Sequence, residues 1–267
     1  MTELRIITPS APLHSGPTTD ASLDNEGLFG ETFKVTGTKN GFVFGNLIAD
    51  GYEGWIPKNC LGDLPVPNAR LIAPMTQVTL RASVKSPSCF SLSFRAVVNV
   101  INTKGDRAKI ATATGHAFLP RRHIQLLADA KKRPSAENEL VDIDWVGFAE
   151  RLINAPYKWG GRTAWGLDCS ALVQLSLAAT GLDVPRDSGP QHEIGAHLDI
   201  ESCLSKSNLR RGDLVFWQGH VGIMQDHHRL LHANAYHMAV VSEPLEDAVT
   251  RISPIAGPIT ALRRPLF

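Results

Sequence analysis

Apolar and polar positions alternate in short runs over residues 20 to 64, in ETFKVTG, FVFGNLIA and DGYEGWIP, with the turn-forming KNG between the first two. Val, Phe, Ile and Thr alternate there with small or polar residues, and Gly or Asn interrupts at short intervals, as in short strands joined by tight turns. The pattern predicts a small β-barrel. Residues 70 to 127 repeat the plan more loosely through QVTLRAS, SLSFRAVVNVINT, RAKIATATG and AFLPRRHIQLL. Each run of strands ends in an aromatic or apolar residue, a Pro and a polar turn, GWIPKN at 54 to 59 and AFLPRR at 117 to 122. Two copies of one barrel are therefore expected, at 1 to 65 and 66 to 128. The polar, charged segment from 129 to 142 reads as an exposed linker.

The period then changes. Trp145, Phe148, Ala149 and Leu152 fall at helical spacing in DWVGFAERLIN, which predicts a helix over 144 to 154 that stops before Pro156. A loop rich in Gly and aromatics, YKWGGRTAWGLD (157 to 168), leads into CSALVQLSLAATG (169 to 181). Ala and Leu content and the closing Gly181 mark this as a second helix, with Asp168 as its N-cap. Downstream, DLVFW and HVGIM flank Gln218-Gly219, and RLLHANA follows, which predicts antiparallel strands packed on that helix. Residues 143 to 267 thus read as one α+β domain.

Composition narrows the classes. The 267 residues are 43% hydrophobic and 20% charged, an ordinary globular balance that excludes disordered, collagenous and coiled-coil chains. No stretch approaches the roughly 18 consecutive apolar residues of a membrane helix, and MTELRIITPSAP lacks the cationic start and apolar run of a signal peptide, so a cytoplasmic protein with no membrane partner is expected. The net charge of +1 divides unevenly. Residues 1 to 65 carry 4 Lys+Arg and 8 Asp+Glu (−4), 66 to 128 carry 9 and 1 (+8), 129 to 142 carry 3 and 4 (−1), and 143 to 267 carry 11 and 13 (−2). A segmented molecule follows.

Four cysteines, at 60, 89, 169 and 203, form no CxxC pair, so neither a zinc ribbon nor a disulfide scaffold is indicated. Cys169 stands where a helix begins. Unpaired amides and the positive end of the helix dipole favour a thiolate there and can hold an oxyanion; a small buried structural cysteine would fit the same place. A thiol nucleophile needs a base, and His220 opens the strand HVGIM beyond a tight turn, where it can point toward the helix start. His232, twelve residues on, can face His220 across the sheet and hold its ring. Cys60, Cys89 and Cys203 read as structural thiols. His227 and His228 point to opposite faces of any strand and have no further ligand at metal spacing, so neither a metal nor another cofactor is expected.

LFGE (28 to 31) and DGYEGW (50 to 55) make the first barrel resemble bacterial SH3-like modules, and the second resembles them more weakly. YKWGGR (157 to 162), GLDCSALVQ (166 to 174), PRDSGPQ (185 to 191), LRRGDLVFW (209 to 217), GHVGI (219 to 223) and LLHANA (230 to 235) resemble, in order, the motifs of the NlpC/p60 cysteine peptidases. That resemblance implies a papain-like α+β domain acting on stem peptides of the bacterial cell wall. Cys169 is then the nucleophile, His220 the general base and acid, and His232 the residue that orients it. It also implies substrate contacts for Tyr157, Asp168 and Ser170, beside plainer roles as packing residue, helix cap and first-turn residue. Arg186 and Asp187 are expected to fix a loop, and Asp213 a turn.

Family members with two SH3-like modules resemble endopeptidases that cut the γ-D-glutamyl bond to diaminopimelate in murein peptides. In some, the first barrel binds the free amine of an N-terminal L-Ala, a role for which Glu31 and Tyr52 are the candidates here. Small free muropeptides, met in recycling, are the implied substrate. Two other readings stay open: a binding protein whose basic second barrel recruits an anionic polymer, and an amidase or acyltransferase on the same fold. No nucleic-acid partner is expected.

Overall fold

The computed structural model describes residues 2–130, 144–205 and 208–266. The expected linker therefore lies outside the described residues except at its first two positions. The chain divides into two compact units. One holds the described residues up to 130 together with Gly160–Ala164, and the other holds 144–159 and 165–266.

The first unit is the repeated barrel that the sequence pattern predicts. Strands Thr2–Ile6, Ser10–His14, Leu23–Leu28, Thr32–Lys39, Phe42–Leu47, Glu53–Pro57 and Leu61–Gly62 form one sheet. In the second copy, Ala69–Leu71, Val97–Val98 and Ile124–Leu126 pair in one sheet, and Met75–Thr79, Ser88–Ser93, Val100–Lys104, Arg107–Thr112 and Gly115–Pro120 in another. The repeat extends to the joints. Pro57 precedes a single 3-10 turn, Lys58–Cys60, and Pro120 precedes Arg121–His123, each followed by a short strand that pairs with the copy's first strand. Proline fixes the backbone at the same bend in both, with φ near −56° and −62°.

The barrel begins earlier than its hydrophobic pattern indicates. TELRI and SAPLH alternate poorly, and Pro12 demotes the second run, yet Ile6, Ala11 and Leu13 are fully buried in the first core beside Phe33, Val43, Leu47 and Ile56. Leu28 and Phe29 leave that core and join the second, among Leu71, Val78, Leu92, Ile110 and Leu119. Gly30 makes this crossing possible. It sits at φ +79°, and a Cβ there would lie 1.9 Å from the Val97 carbonyl oxygen, so only glycine allows the two backbones to close. Two residues of the first copy thus complete the core of the second, so the copies are not independent beads.

In the second unit the helix over 144 to 154 is shorter than expected. It runs Trp145–Glu150, capped by the Asp144 carboxylate accepting from the Gly147 amide, and then winds down through turns to Asn154 at φ +70°. Its apolar stripe is placed as predicted, with Trp145, Phe148, Ala149 and Leu152 buried. The helix Cys169–Ala178 is buried on all sides. It packs on an antiparallel six-stranded sheet in the order Ala196–Leu198, Ala261–Arg264, Leu214–Trp217, His220–Met224, Arg229–Asn234, Ala239–Pro244. Gln218 and Gly219, the latter at φ +72°, make the two-residue turn between Trp217 and His220. Asp213 accepts from the Arg210 amide at 2.8 Å and pairs with Arg264 at 2.7 Å, pinning the entry to that hairpin. No described helix is long and apolar enough to cross a membrane.

Removing Phe29 tests its place in the second core. Phe29→Ala is expected to lower the urea-denaturation free energy by about 3 to 5 kcal/mol, the usual cost of deleting a buried aromatic ring. A loss below about 1 kcal/mol contradicts it.

Candidate active site

Asp168 begins the site. Its backbone is extended, with φ −98° and ψ −177°, and its carboxylate accepts from the Ala171 amide at 2.9 Å, so the helix starts at Cys169. The same carboxylate takes both ends of the Arg186 guanidinium, Nη1 at 2.9 Å and Nη2 at 2.7 Å, with both side chains nearly removed from solvent. Arg186 Nη1 also donates to Ser170 Oγ at 2.9 Å, and Ser170 Oγ to Asp168 at 3.2 Å. Gln191 Nε2 donates to the carbonyls of Ser170 and Pro185, at 3.0 and 2.8 Å. PRDSGPQ is thus a strap across the first turn of the helix. Arg186 fixes more than its own loop, because its guanidinium ties the Asp168 carboxylate to the Ser170 hydroxyl at the helix start.

Cys169 is buried. The backbone N–H groups of Ser170 and Val221 bond to its sulfur and favour thiolate, as a helix start should. Burial outweighs them. With the Asp168 charge acting the same way, it pushes the thiol up to about 12. The Val221 bond also locates the sulfur, since Val221 follows His220 at the start of the strand His220–Met224. Tyr157 lies within the fields of both Cys169 and Asp168, and its hydroxyl is pushed up to about 12, first by burial and then by those two groups. Cys169, Tyr157, Asp168 and Ser170 therefore form one cluster.

His220 Nε2 lies 2.8 Å from His232 Nδ1. The pairing Ile223↔Leu231 and Met224↔Leu230, continued toward the turn, sets the two rings diagonally on one face. His232 is fully buried. Burial, then the fields of His232 and Arg251, push His220 down to about 3, so the imidazole is neutral at neutral pH. At neutral pH the Cys169 thiol and the His220 imidazole are both uncharged. Two uncharged groups of these kinds can pass a proton as sulfur attacks, with no thiolate stored beforehand.

The sequence pattern missed what stands behind His232. Glu243 Oε1 lies 2.6 Å from His232 Nε2, and Arg251 binds Glu243 through both ends of its guanidinium. The available signal was one carboxylate in the otherwise apolar run AVVSEP.

Glu31 and Tyr52 belong to the other compact unit and are described in its frame. Glu31 is a buried ion-pair member and not a solvated strand end. Its carboxylate accepts from the Leu28 amide at 2.8 Å and from Arg162 Nη2 and Nη1 at 2.9 and 3.3 Å. Arg162 also donates its amide to Glu26 at 2.9 Å. Tyr52 packs against the first barrel's core. Of the thiols read as structural, Cys60 and Cys203 are buried, whereas Cys89 is exposed on its strand. Among the described residues no group of three His, Cys, Asp or Glu could hold a metal ion.

The sequence pattern of the NlpC/P60 family matches residues 154–252, and that of the bacterial dipeptidyl-peptidase SH3 domain matches residues 13–61. A gamma-D-glutamyl-L-lysine dipeptidyl-peptidase of Bacillus subtilis is 24% identical over 221 residues, which is 80% of this chain and 70% of that protein. The murein DD-endopeptidase MepS/murein LD-carboxypeptidase of Escherichia coli is 35% identical over 105 residues, 37% of this chain and about half (49%) of that protein's length. The crystal structure of an NlpC/P60 family protein from Bacillus cereus aligns over 100% of both chains with a TM-score of 0.78 at 19% identity, a likeness of fold.

Arg186→Ala removes the buried guanidinium that makes two bonds to the Asp168 carboxylate. Thermal or urea denaturation is expected to show a loss of about 3 to 5 kcal/mol. A loss under about 1 kcal/mol contradicts the role given to this pair.

Proposed function

We propose that this chain, whose residues 154–252 match the NlpC/P60 family, hydrolyses the γ-D-glutamyl bond to the diamino acid, diaminopimelate, in small murein peptides that begin with L-Ala. The observation that carries this reading is the His220–His232 pair at 2.8 Å, on the strand whose next residue, Val221, bonds through its amide to the sulfur of the helix-start thiol. The name of the Bacillus subtilis relative, which specifies a γ-D-glutamyl bond to L-lysine and is matched over 80% of this chain, supports a γ-D-glutamyl bond to a diamino acid.

Cys169 Sγ attacks the γ-carbonyl while His220 takes its proton, so no charged thiolate is stored in a dry site. The electron pair moves onto the carbonyl oxygen, and backbone amides at the helix start stabilise that oxyanion. Collapse expels the amine of the diamino acid, which takes its proton from His220. Water, deprotonated by the same ring, then splits the thioester and releases L-Ala-D-Glu with the thiol restored.

Tyr157, Asp168 and Ser170 are the proposed substrate contacts on the catalytic side. From the first barrel, Glu31 and Tyr52 are proposed to meet the N-terminal amine. Glu31 already accepts three hydrogen bonds, and a carboxylate has room for about four, so an ammonium would take the last. Small free peptides of this kind fit a cytoplasmic recycling role.

Incubation with L-Ala-γ-D-Glu-meso-diaminopimelate, and with the lysine analogue, followed by mass spectrometry, tests the proposal. The expected result is L-Ala-D-Glu plus free diamino acid, with water incorporated and turnover reduced at least about a thousandfold in Cys169→Ala. No cleavage of either peptide, or cleavage unchanged in the variant, overturns it. Transfer of the acyl group to an added amine in place of water makes it a transferase. Salt-sensitive polymer binding without turnover favours the binding-protein reading.

A further inference from the structure

His232 has two partners at one atom that demand opposite protonation. Its Nε2 lies 2.6 Å from Glu243 Oε1 and 3.0 Å from Asn234 Nδ2. A carboxylate can only accept, so it requires Nε2 to carry hydrogen. The Asn234 amide nitrogen can only donate, so it requires Nε2 to be bare. Asn234 cannot turn its oxygen to the ring without loss, because that oxygen accepts from the His237 amide at 2.8 Å.

The choice propagates. If His232 Nε2 holds the hydrogen, His232 Nδ1 is an acceptor, and His220 must donate to it from Nε2 across the 2.8 Å contact. His220 Nδ1 then carries a lone pair. In the opposite state His232 donates from Nδ1, His220 accepts at Nε2, and the hydrogen sits on His220 Nδ1, where no proton can be taken from a thiol. One carboxylate, two rings removed from the sulfur, decides whether the base is a base.

We propose that Glu243 is a positioning residue that fixes the tautomer of both histidines against the competing amide of Asn234, so that His220 presents a bare Nδ1 to Cys169. The shorter contact is the charge-assisted one. Arg251 keeps the carboxylate in place, binding it bidentately while lying over the Tyr236 ring at 4.7 Å. Burial pushes Glu243 upward, but its bonds to His232 and Arg251 outweigh that and bring it down to about 2, so it is ionised at any working pH. The other titratable groups acting on this line are His237, on His232, and Tyr236 and Asp247, on Arg251. The sense of the effect rests on the Cys169–His220 reading above, whereas the tautomer assignment does not.

Nitrogen-15 correlation spectra of the histidine rings in the full chain test the assignment without any substrate. The wild type is expected to show both His220 and His232 as Nε2–H tautomers. In Glu243→Ala, both are expected to switch to Nδ1–H as Asn234 takes over Nε2, with the rest of the spectrum folded. The activity counterpart is a fall in kcat of about 10^2- to 10^4-fold, the scale of a base held in the wrong tautomer, with KM within about threefold. Glu243→Ala combined with Asn234→Ala removes the competing donor and is expected to regain at least tenfold of the lost kcat. Unchanged tautomers in Glu243→Ala overturn the proposal whatever the substrate proves to be. A tautomer switch on an enzyme inactive toward murein peptides leaves Glu243 in this role and removes only the substrate reading.

Discussion

The buried pair Asp168–Arg186 is the interaction on which the catalytic unit depends. Asp168 ends an extended segment, caps the helix and so sets where Cys169 begins it. A carboxylate in that place costs several kcal/mol to bury unless it is paired, and Arg186 supplies the partner through two bonds. The pair carries an electrostatic conflict. Asp168 disfavours a thiolate next to it, and Arg186 offsets part of that field. Asp168, which sets the helix start, therefore helps keep its thiol protonated at rest, and Arg186 works against that.

A neutral thiol and a neutral imidazole are what a dry pocket allows. Burial disfavours the charged form of each group, and Arg186, which acts against this at the thiol, is bonded to Asp168. The site instead holds a directional line of hydrogen bonds, from the His220 ring to His232 and on to Glu243 and Arg251. The charges lie at its outer end, where burial is less complete. Direction, supplied by geometry, replaces stored charge.

Much of this was legible in the sequence. The start of the helix at Cys169, the tight turn before His220 and the register that brings His232 to it all follow from local signals: an acidic cap, a Gln-Gly turn and strands of known period. What lay beyond needed register across longer connections. Glu243 reaches His232 because the strand Ala239–Pro244 folds back on Arg229–Asn234 with His232 opposite Val241, and no local feature of AVVSEP announces that pairing. The helix Leu245–Ala256 stayed unseen behind Pro244 and its internal Pro254. The strands before residue 20 were hidden because TELRI and SAPLH bury residues by pairing with distant strands and not by their own alternation.

The claim that joins these observations is that Cys169 rests as a thiol and His220 as a neutral imidazole. Thiolate absorbance recorded against pH, wild type minus Cys169→Ser, measures it directly. The account expects no step assigned to Cys169 below the ordinary thiol value of 9.0; thiolate already formed at about pH 6, as in a stored thiolate–imidazolium pair, would contradict it.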